Sequence, residues 1–136
     1  MTEVNNNNVP KALRNWFVVH FIADMLFAIP LFFFPEFFLK LMGWKAIDPI
    51  TTRLVAAALF GIGIESLLSY KSGMEAYRGM LNLKIIWSFS AMVGLLVAVI
   101  QGLYTHLLIG WSFFAVFFLF NILWVYWRIR IRGMTG

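Results

Sequence analysis

Apolar and polar positions along this chain separate on the scale of whole helices. After a polar start that contains the run NNNN at residues 5–8, near-continuous apolar stretches occupy residues 15–34, 49–70, 80–100 and 107–127. A helix of about 20 apolar residues spans the hydrocarbon core of a bilayer, so each stretch predicts a transmembrane helix. Between the first two lies PEFFLKLMGW. Pro35 suits a first helical position, Glu36 the positive end of a helix dipole, and Gly43 a stop. Phe37, Phe38, Leu41 and Met42 fall on one stripe, which predicts a short helix over 36–43 lying in the interface, with Trp44 as an anchor. Asp48-Pro49 reads as the cap and first-turn proline of the second span. KSGMEAYRG and QGLYTH supply the remaining turns. Pro30, near the far end of the first span, is tolerated in a membrane helix where neighbouring groups satisfy the freed carbonyl. The expected fold is all-α integral membrane: one domain, a bundle of four transmembrane helices with a short interfacial helix after the first. Residues 1–14 are expected to be a disordered start.

Composition strengthens this picture. Apolar residues make up 62% of the chain and charged residues 12%, more apolar surface than a soluble domain of this size can hide. The chain has no cysteine, which excludes disulfides and thiolate metal sites. The net charge of +5 is carried at the ends of the apolar runs, which fits membrane orientation better than nucleic-acid binding. Lys11, Arg14, Lys71, Arg78, Arg128, Arg130 and Arg132 fall on one side, and Lys40, Lys45 and Arg53 on the other. That imbalance predicts both chain ends in the cytoplasm and a home in the plasma (inner) membrane. The RIRIR segment is expected to meet anionic lipid headgroups. Arg53 reads as an interfacial anchor or a partner for Asp48 or Glu36.

The candidate chemistry lies in the polar residues inside the apolar runs. His20 and Asp24 stand one helical turn apart on one face. With the helix rise of about 1.5 Å per residue, His20, Asp24, Glu65, Lys84 and Asn121 all reach the cytoplasmic third of the bilayer. Asn82, Ser66, Ser69 and Ser88 fall at the same depth. Stripes of small and polar residues mark the expected inward faces: Ala57, Gly61 and Glu65; Lys84, Ser88, Ala91 and Ala98; Gly110, Phe114, Phe117 and Asn121. The expectation is a polar layer inside the bundle in which Lys84 pairs with a carboxylate and a His–carboxylate pair shares a proton. Charges at membrane depth mark functional sites by default. The competing structural reading is interhelical glue and, for Lys84, a side chain that snorkels to the interface.

No phosphate-binding glycine loop, HExxH or G-x-S-x-G occurs, no spacing favours a metal, and no cofactor is implied. The P-EFFLKLMGW segment after span 1 and R-LVAAALFGIGIES in span 2, headed by Arg53, resemble the DoxX-like and related small four-span membrane proteins, groups largely without assigned activity. A more distant likeness is to the four-helix fold that includes eukaryotic sterol isomerases, from which no catalytic residue carries over. These resemblances imply a four-helix bundle that could hold a pocket. Three functions stay open: binding or sensing a small apolar ligand such as a lipid, quinone or sterol-like compound; proton-coupled transport as a homodimer; and a structural or accessory role in a membrane complex. The partners expected are membrane lipids and an apolar small molecule, not nucleic acid.

Overall fold

The computed structural model describes residues 8–134. In chain order the helices are α1 (Lys11–Phe33), α2 (Pro35–Leu41), α3 (Pro49–Leu68), α4 (Met74–Ile100) and α5 (Leu107–Arg130), and α3 tightens into a 3-10 turn over Ser69–Lys71. Four of these, α1, α3 with its turn, α4 and α5, are long and apolar enough to cross a membrane. Their outer surfaces carry large exposed apolar side chains, among them Leu26, Phe37, Ile100 and Leu108. Such a coat is stable only against lipid. The protein is an all-α, multi-pass membrane bundle with a short additional helix after α1.

Local chemistry sets the helix ends. Asp48 caps α3: its carboxylate accepts from the amides of Ile50 (2.9 Å) and Thr51 (3.4 Å), with Pro49 in the first turn. Arg53 does not pair with Asp48 or Glu36. Its Nε donates to the Phe32 carbonyl (3.1 Å), one of the orphan acceptors at the end of α1. Pro30 leaves α1 continuous, and the Phe34 amide closes the last turn onto the Pro30 carbonyl (2.9 Å).

Two helices begin earlier than the apolar runs. α1 starts at Lys11 and α4 at Met74, because Val9, Leu13 and Phe17 repeat at helical spacing and bury against Met74, Tyr77, Leu81, Trp127 and Ile131. The expected disordered start is therefore corrected for residues 8–14. Residues 1–7, which hold Asn5, Asn6 and Asn7 of the NNNN run, lie outside the described residues.

The bundle is built from two close helix pairs, α1 with α3 and α4 with α5, and few residues approach across the gap between pairs. Gly63 explains the first pair: a Cβ there would stand 2.9 Å from Asp24 Cβ and 2.9 Å from Met25 Cε. Asn121 ties the second pair, its amide donating to the Ile85 carbonyl (3.1 Å) and to Ser88 Oγ (2.9 Å). The two pairs are clamped at both ends. At the end nearer Val9 and Met134 lies the apolar cluster just described. There Arg14 donates to the carbonyls of Tyr70 and Ser72, and Arg78 to those of Ile131 and Met134. At the opposite end, Trp44 and Tyr104 form a bridge. The Lys45 amide bonds the Leu103 carbonyl (2.9 Å) there, and the Thr105 amide the Gly43 carbonyl (2.7 Å). Gly43 makes that crossing with φ +77°, a conformation that favours glycine. Between the clamps the backbones of the two pairs stand apart, bridged by side chains.

Candidate functional site

The polar residues of α1, α3, α4 and α5 meet just inside the first clamp. His20 and Asp24 share a face of α1 because they are four residues apart, and Nδ1 of His20 lies 3.0 Å from Asp24 Oδ2. The same nitrogen also lies 2.9 Å from Lys84 Nζ of α4. Lys84 also donates to Ser66 Oγ of α3 (2.7 Å). Ser66 spends its own proton on the Ile62 carbonyl (2.7 Å), so the lysine is the donor in that pair. The remaining surface of the ammonium faces two rings, with Phe17 at 4.9 Å and Trp124 at 5.2 Å from Nζ. An ammonium held by two acceptors and two aromatic faces is well solvated by protein.

Lys84 is fully buried, at 0% exposure, so it does not snorkel. Nor does it pair with a carboxylate: among the described residues the basic side chain within 4 Å of a carboxylate is His20, beside Asp24. The lysine reaches Asp24 through the imidazole. Taken with an ionised Asp24 and a neutral His20, the cluster carries no net charge, which limits the cost of burying it. Phe120 and Trp124 meet the His20 ring edge-on at 5.1 Å and fix its orientation.

Of the sequence candidates, the fold brings together His20, Asp24, Lys84, Ser66 and Ser88, with Asn121 behind them through Ser88. Glu65 and Asn82 do not join. Glu65 is on the exposed side of α3, accepting from Ser69 Oγ (2.5 Å), and Asn82 is exposed and bonded to Arg128 (2.8 Å). The expected inward stripe Ala57–Gly61–Glu65 is likewise exposed. The buried face of α3 is Thr52, Ala56, Leu59, Ile62, Gly63 and Ser66. Phe17 and Trp124, which complete the lysine cage, were not among the candidates. Their spacing could have shown them, since each is three residues from His20 or Asn121 on the same helix face.

The cluster forms one end of a cavity of about 450 Å³ in the gap between the helix pairs. His20, Asp24 and Ser88 supply its polar end. Its walls are apolar, including Phe27, Leu59, Trp87, Phe113, Phe117 and Phe120, and Trp44 closes the far end. Gly94 also lines it, and a Cβ on Gly94 would meet nothing within 4 Å. With exposed Ser90 and Val116 nearby, this glycine marks a lateral mouth. Among the described residues, no three His, Cys, Asp or Glu side chains converge as metal ligands would.

No protein-family model, no curated protein and no solved structure matches this chain.

Proposed function

We propose that the protein binds a small apolar molecule with one polar end, held in the cavity between its two helix pairs. The observation that carries this reading is the cavity itself: about 450 Å³, within the usual range for ligand sites, with largely apolar walls and a polar cluster at one end. Interhelical glue alone accounts for hydrogen bonds but not for a gap that the helices fail to close. Packing normally removes such voids, because each leaves unsatisfied contacts in its lining. The polar end serves orientation, and the aromatic walls provide contact area. On the same reading the clamp that holds Arg14 and Arg78 faces the cytoplasm and the Trp44 clamp the opposite side, in keeping with the basic bias.

The test is native mass spectrometry of protein released from its own membranes in mild detergent, wild type beside Gly94→Leu. The leucine enters open space and replaces a poor helix former by a good one, so the bundle persists while the mouth is blocked. A discrete adduct on the wild type that is absent from the variant is the expected result. Bare protein in both samples contradicts the proposal.

A further inference from the structure

Resting on that reading, we infer that the cavity selects an uncharged hydroxyl head group on a compact ring or branched skeleton of about 10 to 15 non-hydrogen atoms. Taken as an ammonium, Lys84 has no lone pair and can only donate to His20 Nδ1, 2.9 Å away, and an imidazole that accepts at one nitrogen carries its proton on the other. Nε2–H is therefore a donor. It has no hydrogen-bond partner among the described residues, and His20 lines the cavity.

Asp24 supplies the matching acceptor. Its Oδ2 is sealed from solvent and out of line for a hydrogen bond, although Nδ1 of His20 lies within 3.0 Å. It is also wedged against α3, since a Cβ on Gly63 would be 3.2 Å from it. The part of Asp24 that meets the cavity is thus the rest of the carboxylate, which only accepts. One donor and one acceptor, a helical turn apart, are both satisfied by a hydroxyl.

Charged heads fit less well. The Lys84 ammonium is not part of the cavity wall; it stands behind His20, out of reach of an anion. An anionic head would instead face the carboxylate of Asp24. A cationic head would add a second positive charge to a cluster that Lys84 already balances. A hydrocarbon would leave both Nε2–H and the carboxylate unpaired, and buried unpaired groups are costly.

Size comes from the walls. At roughly 30 Å³ per heavy-atom group, the share of a liquid water, the cavity holds on the order of 15 such groups. On α5 the lining runs from Phe113 to Phe120, about 10 Å at the helical rise. The mean cross-section is then about 40 Å², the width of a ring or branched skeleton rather than one extended alkyl chain.

The matched probes are menthol, p-menthane, p-menthane-3-carboxylate and menthylamine, titrated into wild-type protein in one detergent and followed by native mass spectrometry. Gly94→Leu serves as the control for partition into detergent. Menthol is expected to bind at least tenfold more tightly than the other three. Asp24→Ala should erase its advantage over p-menthane, and Asp24→Asn, which keeps an acceptor, should restore part of it. Equal binding of menthol and p-menthane to the wild type overturns the head-group inference and leaves the cavity reading standing. Tightest binding by the carboxylate or the amine overturns it in the same way. Failure of all four to bind the wild type above the Gly94→Leu control sinks the cavity reading as well.

Discussion

Removing the charge of Lys84 should cost far more when Asp24 is present than when it is not. The two legs through His20 Nδ1, 2.9 Å to Nζ and 3.0 Å to Oδ2, place the opposite charges no more than about 6 Å apart, worth roughly 3 kcal/mol at an effective dielectric near 20. Lys84→Met keeps most of the buried stem but leaves the Asp24 carboxylate uncompensated, a situation that typically costs about 3–5 kcal/mol. Asp24→Asn strands the ammonium in the same way. The double variant loses both charges together and should be little worse than either single variant. The expected coupling is therefore at least about 3 kcal/mol, well above the roughly 0.5 kcal/mol scatter of independent sites. Reversible unfolding in mixed micelles, followed by far-ultraviolet circular dichroism for all four proteins, measures it. Additive losses in the double variant would refute the idea that the imidazole relays one charge to the other.

Other substitutions probe the packing. Gly63→Ala drives a Cβ to 2.9 Å from Asp24 Cβ and Met25 Cε and should destabilise by about 1–3 kcal/mol, whereas Gly61→Ala meets nothing within 4 Å and should be neutral or gain up to about 1 kcal/mol; the same unfolding assay separates them. Trp124→Ala empties a fully buried site and should cost about 3–5 kcal/mol, with loss of near-ultraviolet dichroism from the ring cluster. Asp48 has its carboxyl lowered below the ordinary value of 3.8 by the Thr51 hydroxyl, then by the amides of Ile50 and Thr51. A depressed carboxylate stabilises the fold fully above its unfolded value and loses that contribution as pH falls through the folded one. Amide exchange in the first turn of α3 should therefore quicken below pH 4 in the wild type and lose that acid dependence in Asp48→Asn, which caps without titrating.

Much of the architecture was legible because membrane spans announce themselves by length and hydropathy. The Asp48-Pro49 start of α3 was legible because caps act locally. His20, Asp24, Lys84, Ser88 and Asn121 could be placed on inward faces since polar side chains in an apolar helix have few other places to go. α3 misled because it is apolar all round. Small residues at 57 and 61 imitate a packing stripe ending in Glu65, while the true interface is rotated onto Gly63 and Ser66. Only the backbone approach at Gly63 distinguishes them. Glu65 was a convincing candidate at the right depth and lies on the wrong side. The aromatic cage of Phe17 and Trp124 was legible only in its spacing from His20 and Asn121, since rings in such a chain usually face lipid or general core. The extension of α1 and α4 depends on Val9, Leu13, Met74 and Tyr77 finding one another at the clamp, a long-range event that no local window contains. The gap between helix pairs is likewise a property of tertiary packing.

The most direct test is an experimental density map of the protein purified without added ligand, inspected between Phe113 and Phe120. Continuous non-protein density is expected there, with one end at Asp24 and His20 and the other toward Trp44. A map in which Trp87 and Phe117 have closed into an empty gap, with no density beside Asp24, would contradict it.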